Sequence, residues 1–355
     1  MIGQRLKLAR AAAGLSLRDL EAAIGNRVTA QAIGKYERDE SMPSSGVLIS
    51  LADALSVTED YLLGEQEMAL EGVEFRKKAI ASKKEEAQLE AKALHLLERY
   101  LLVEELLNLS TEWDRPRGSP YPIVADVAEA ERAARSVRDN WGLGMDPIPN
   151  LVELFEERGI KVLSVALADI DGLTATVRRE GKPSLPVIVI KKDAWSERKR
   201  FTLAHELGHM VLDVADRVDE ERACHRFAGA FLMPAEALWA EVGKHRTSIS
   251  LGELAHLKEM FGVSVQAIAY RCKDLGIFGP SVMTTLFRLF TQRGWRRPPY
   301  AEIGAIDPAF EEPRRLERLC FRALAEGAVS ESKAAEILGM SVRHLNRLMD
   351  QPQAA

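Results

Sequence analysis

Phe201-Thr-Leu-Ala-His205-Glu206-Leu-Gly-His209 is the stretch on which the fold reading turns. His205 and His209 are four apart, so on a helix both imidazoles leave from one face. Neutral imidazole is a preferred zinc ligand. Glu206 stands beside a candidate ligand, where a carboxylate can take a proton from an activated water. Phe201, Leu203, Ala204, Leu207, Met210, Val211 and Leu212 supply the apolar frame of a buried helix. Gly208 is costly inside a helix, which implies close packing against a neighbouring backbone. The bland alternative is a chance five-residue match on an amphipathic helix.

Two histidines do not complete a catalytic zinc site, which wants three protein ligands and an open position. The next acidic cluster, Asp219-Glu220-Glu221, opens a helix running through Arg222-Ala-Cys-His-Arg-Phe to Pro234. A carboxylate near a helix N-terminus suits the dipole. Cys224 and His225 follow within a turn; a Cys-His pair on a helix is more often packing than ligation.

The segment Phe201…His205-Glu206-Leu-Gly-His209…Glu221…Phe227-Ala228…Phe231-Leu232-Met233-Pro234 is similar to the ImmA/IrrE metallopeptidases, across about residues 120–275. The resemblance implies Zn2+ as cofactor and an acidic third ligand on the second helix. Glu221 fits that position, with Glu220 in reserve. Ala223 stands where family members often carry a second Glu. The resemblance further implies peptide hydrolysis with Glu206 as general base. Related peptidases cleave repressor proteins, often of the Xre type.

The front of the chain has a different grammar. Ile2, Leu6 and Leu8 begin an amphipathic helix that stops at Gly14. Ser16 caps a second, with Leu17, Leu20, Ala23 and Ile24 as its apolar face. After the turn at Gly25-Asn26, Thr29 caps Ala30–Glu37. Two short helices about a Gly-containing turn make a helix-turn-helix, whose second helix enters the major groove. Gln31 and Lys35 lie opposite Ile33; Gln can read adenine, and Lys can reach guanine or phosphate. Arg18, Thr29, Ala32 and Arg38 complete the candidate DNA contacts, and Arg10 and Arg27 are further candidates for phosphate. The order Ser16…Leu20…Gly25…Thr29…Ile33…Tyr36-Glu37…Pro43…Leu51-Ala52…Leu62-Leu63-Gly64 resembles the lambda-repressor-like, Xre-type DNA-binding family. The turn is longer than usual for that family, and Arg38-Asp39 stands where a Gly often ends the recognition helix.

Residues 65–115 read as a helical linker. Leu89, Ala93, Leu96, Tyr100, Val103 and Leu107 have heptad spacing, but Leu94, Leu97 and Leu101 widen the stripe beyond a coiled-coil seam. Docking on the chain's own C-terminal part is therefore expected. Ile160–Val165, Gly172–Val177 and Leu185–Ile190 read as strands, whose edge could hold an extended peptide, before a helix capped by Ser196. Leu316–Met349 closes with a second pattern of capped helix, Gly339 turn and Ser341-capped helix exposing Arg343, Asn346 and Arg347.

The fold class expected is mainly α with a small β-sheet (α+β). Its parts are a DNA-binding domain (1–64), the linker (65–115), a zincin-like metallopeptidase domain (116–280) and a C-terminal helical domain (281–355). A net charge of −5 excludes a uniformly basic nucleic-acid coat but leaves room for a local basic face. Three scattered cysteines form no disulfide framework and fit a reducing cytoplasm. No apolar run approaches the roughly 20 residues that span a bilayer, so no membrane partner is expected. Together these readings describe a bacterial or phage-type regulator, a homodimer on palindromic double-stranded DNA, with a zinc peptidase acting on a repressor or on itself. The alternatives are a regulator whose peptidase-like domain only senses a ligand or metal, and an antitoxin that holds a protein partner.

Overall fold

A computed structural model describes residues 2–64, 68–77, 83–109, 112–166, 170–179, 181–297, 300–304, 306–307 and 309–350. The elements run α1 (Gly3–Ala12), α2 (Leu17–Ala23), α3 (Ala30–Glu37), α4 (Ser45–Leu55), α5 (Glu59–Leu63), β1 (Met68–Lys77) and α6 (Lys83–Leu106). Then come β2 (Tyr121–Ile123), α7 (Ala130–Asn140), α8 (Leu151–Glu157), β3 (Lys161–Val165), β4 (Ile170–Arg179), β5 (Lys182–Lys191), α9 (Ser196–Val211) and β6 (Leu212–Val214). The rest is α10 (Glu220–Leu232), α11 (Ala235–Val242), α12 (Leu251–Phe261), α13 (Val265–Asp274), α14 (Pro280–Gln292), α15 (Arg315–Ala325), α16 (Glu331–Leu338) and α17 (Val342–Asp350). The chain is mainly α with small sheets, as its sequence patterning requires. Packing divides it differently from chain order. One compact unit holds residues 1–112, 159–189 and 313–355, and the other holds 113–158 and 190–312.

In the first unit, α1–α5 enclose an apolar core of their own built on Leu6, Leu20, Ile33, Leu51 and Leu62, all fully buried. Ser16 and Asp19 form a reciprocal capping box at α2. Asp39, at φ +56°, supplies the left-handed residue after α3, and its carboxylate accepts the Gly3 N–H at 2.8 Å. An aspartate thus serves where glycine is usual: Asp tolerates the left-handed conformation, and here the N-terminus of α1 holds its carboxylate. The second core packs α6 against β3–β5 and α15–α17. Leu89, Ala93, Leu97, Tyr100 and Val103 of α6 are buried there, so the buried stripe runs through Leu97 while Leu96 is only partly covered. A buried Lys161–Glu104 pair at 2.6 Å ties β3 to α6.

The expectation of a purely helical linker over 65–115 is corrected by β1, which pairs antiparallel with β4 in a sheet of order β1-β4-β5-β3. The charged residues of this stretch masked its strand character: β1 lies at a sheet edge, where charge is tolerated. One edge open to strand addition in the sequence reading is thus already filled by this chain.

In the second unit, α10 packs on both α9 and α7, and β2 pairs in parallel with β6. Among the described residues no helix is long and apolar enough to cross a membrane. Cys224, Cys272 and Cys320 are buried, and none of the three is in a disulfide.

Candidate metal centre

Helix α9 begins with a strongly polar sequence, Ser196-Glu-Arg-Lys-Arg, yet Ser196, Glu197, Lys199 and Arg200 are all buried. Burial of charge on this scale requires partners. Residues 302–312, a hundred positions downstream, supply most of them. Arg200 donates to Glu311 at 2.5 Å and to the Ile148 carbonyl at 2.7 Å. Glu311 in turn accepts the first N–H groups of α8, Leu151 at 3.0 Å and Val152 at 2.9 Å. Lys199 pairs with Glu312, and Lys258 of α12 bridges Glu197 at 2.6 Å and Glu302 at 3.4 Å. Ser196 is not the cap of α9. Trp195 occupies that position, and the Ser196 hydroxyl donates to the Asp307 carbonyl at 2.6 Å.

The C-terminal half of α9 meets α10. Asp219 caps α10 by accepting the Arg222 N–H at 3.0 Å. A Cβ added at Gly208 would meet Cys224 Cα, Cβ and Sγ at 3.3 Å each, so the absence of a side chain there lets the two helices close up. Arg271 and Arg226 both pair with Glu131, linking α13 and α10 to α7.

That approach brings His205, His209 and Glu221 together. His205 Nε2 and His209 Nε2 stand 3.1 Å apart. Glu221 places one carboxylate oxygen 3.4 Å from His205 Nε2 and the other 3.4 Å from His209 Nε2. A tetrahedral zinc with bonds of about 2.0–2.1 Å needs ligand atoms about 3.3 Å apart. The donor set of two imidazoles and one carboxylate therefore fits zinc in chemistry and spacing. The three ligand atoms form a group within 4.8 Å of one another. His205 is fully buried while Glu221 is exposed, so the cluster sits at the boundary between core and solvent. Glu206, one residue along α9, is buried.

Glu220 lies on the other side of His209, its carboxylate 3.1 Å from Nδ1. A proton held on Nδ1 by that carboxylate leaves Nε2 as the lone-pair donor, the arrangement metal-ligating histidines favour. Glu220, held in reserve as a ligand in the sequence reading, faces Nδ1 of His209, while Glu221 faces Nε2. Sequence reasoning had no signal for this, because neighbouring glutamates on one helix are chemically identical until the facing helix is placed. Cys224 is packed against Gly208, outside the cluster. His225 donates from Nδ1 to the Glu221 carbonyl at 2.8 Å and sets its ring edge-on to His205, 4.4 Å between centroids.

On the DNA-binding side, Gln31 and Lys35 of α3 are both exposed, and Ala32 is half-buried. Thr29 is exposed and caps α3, accepting the Ala32 N–H at 3.2 Å. Arg18 is exposed on α2. Arg38 is exposed but paired with Glu40 at 2.6 Å. Arg10 is part-buried and pairs with Glu37, and Arg27 is exposed and donates to the Ser50 hydroxyl at 2.8 Å.

Comparison with known proteins agrees with both halves. Residues 155–273 match the model described as IrrE N-terminal-like domain, and residues 6–62 match a helix-turn-helix model. The chain thus joins an Xre-like helix-turn-helix to a metallopeptidase domain of the IrrE/ImmA type. It is similar to the radiation response metalloprotease IrrE of Deinococcus deserti, 29% identical over 34% of this chain and 45% of that protein. It is also similar to the protein of the same name from Deinococcus radiodurans, 30% identical over 29% of this chain and 31% of that one. The chain spans less than half the length of these relatives.

Proposed function

We propose that this protein is a DNA-binding transcriptional regulator whose peptidase domain uses zinc to cleave a regulatory protein, either a repressor of the Xre type or the chain itself. The observation that carries the reading is the convergence of His205 Nε2, His209 Nε2 and the Glu221 carboxylate at ligand spacing, one residue from Glu206. His205, His209 and Glu221 would hold the metal, and Glu220 orients His209 through Nδ1. The metal supplies polarisation of the scissile carbonyl and a more acidic water. Glu206 acts as general base and then delivers the proton to the leaving amine. Its burial on α9 holds the carboxylate in place. The radiation response role printed for the matched relatives supports a regulatory peptidase over a digestive one.

For DNA, Gln31 and Lys35 are the base-reading side chains of α3, and Arg18, Thr29, Ala32 and Arg38 line the same approach. The protein acts in the cytoplasm of a bacterium or phage host, as a homodimer on a palindromic operator. The test sets purified wild type and Glu206→Gln beside the products of neighbouring genes, with zinc content measured for both. The expected result is a cleaved band with wild type alone and about one zinc per chain in each. Equal cleavage by the variant would overturn the assignment of Glu206. No bound zinc, even after zinc is added, would overturn the metal centre.

A further inference from the structure

The C-terminal helices present a surface that the reading above does not use. Helix α16 is capped by Ser330, whose hydroxyl accepts the Lys333 N–H at 3.2 Å. It ends at Gly339, φ +67°, and three residues, Gly339-Met-Ser341, lead into α17. Ser341 starts α17 by accepting the His344 N–H on its hydroxyl at 3.3 Å. A turn of three or four residues containing Gly is the joint of a helix-turn-helix. The pair is built into a core: Ala334, Ala335 and Ile337 of α16 and Leu345 of α17 are buried with Leu319, Cys320 and Ala323 of α15. Leu345 is the one fully inward residue of α17, so the helix lies on its partner by a single stripe and turns the rest outward.

That outward face carries Arg343, His344, Asn346 and Arg347, all exposed. Spacings of three and four residues put Arg343, Asn346 and Arg347 on one strip. None of these three side chains makes a hydrogen bond or ion pair among the described residues, whereas the exposed Arg322 and Arg38 are each paired with a glutamate. The only acidic residue of α17 is Asp350, at its far end. In a chain of net charge −5, such an uncompensated basic strip is a local exception. Arginine matches the guanine edge, asparagine the adenine edge, and both reach phosphate.

We propose that α15–α17 form a second double-stranded-DNA-binding module, with α17 as its recognition helix. Arg343 and Arg347 meet guanine edges or phosphates and Asn346 reads a base edge in the major groove. The module is independent of α3, so the full chain carries two DNA-reading elements.

The test uses the full chain and a random-sequence duplex pool. In a Gln31→Ala/Lys35→Ala background the protein should still enrich a sequence from the pool. Adding Arg343→Ala, Asn346→Ala and Arg347→Ala should abolish that enrichment. In the otherwise wild-type chain, Arg343→Ala/Arg347→Ala should weaken binding about tenfold and lower the slope of log affinity against log salt by roughly two. Because all three residues are exposed, circular dichroism melting should be unchanged. The proposal is overturned if the Gln31→Ala/Lys35→Ala chain enriches nothing and Arg343→Ala/Arg347→Ala leaves affinity, salt slope and selected sequence as in wild type. It is equally overturned if those substitutions alter self-association in sedimentation while DNA binding stays unchanged, which would make α17 a protein-contact helix. Failure of the α3 module alone would show as wild-type enrichment that depends only on α17.

Discussion

Gly208 of α9 faces Cys224 of α10 so closely that a methyl group would stand 3.3 Å from three Cys224 atoms, the backbone Cα among them. Backbone cannot move aside as a flexible side chain can. Gly208→Val should therefore force the helices apart and cost about 1–3 kcal/mol by overpacking. The same displacement separates Glu221 from the two histidines, so zinc affinity should fall with stability. Chemical denaturation and a competitive chelator titration check both. Unchanged zinc affinity would mean that the helix contact does not set the ligand spacing.

Glu220 and Glu221 should separate under substitution. Glu221→Ala removes the proposed third ligand and should leave the chain unable to retain zinc through gel filtration. Glu220→Gln weakens only the hold on His209 Nδ1 and should lower zinc affinity by about 10–100-fold, the usual effect of an outer-shell partner. Equal losses in the two variants would put both carboxylates on the metal.

The buried Arg200–Glu311 pair anchors the half of α9 that precedes the histidines. Glu311→Gln leaves the Arg200 guanidinium, 1% exposed, without its counter-charge. Stripping one partner from a buried pair costs about 3–5 kcal/mol. The variant should unfold at markedly lower urea concentration, with zinc binding weakened as a consequence.

Burial and the nearby Arg99 and Arg5 guanidinium groups push His95 of α6 down to about 4, while Glu98 and the edge of the Tyr61 ring flank the same site. The unfolded chain protonates this histidine near the ordinary value of about 6.5. Between those values the unfolded state holds more protons, so stability is present above about pH 6.5 and is lost as pH falls toward 4. The loss amounts to roughly 3 kcal/mol at most. His95→Gln should remove this dependence, so in urea titrations the stability of wild type relative to the variant should fall as pH drops from about 6.5 toward 4; a difference independent of pH would show that the neutral ring is not what folding selects.

Local chemistry was readable from local sequence. The four-residue spacing of His205 and His209, the caps at Ser16 and Thr29 and the turn at Gly339 depend only on helix geometry, which neighbouring residues determine. The same holds for the solvent-exposed side chains Gln31 and Lys35, since one buried apolar residue, Ile33, orients the helix. Other features waited on the tertiary structure. Whether Glu220 or Glu221 faces the histidines depends on how α10 is rotated against α9, and Gly208 and Cys224 set that contact. The polar start of α9 is a buried anchor because Glu302, Glu311 and Glu312 arrive from a hundred residues away. β1 is a strand because β4 offers it backbone partners, and a hydrogen-bonded ladder leaves little trace in side chains at a charged edge. Periodicity reports which face of an element is buried; what buries it is a property of the folded chain.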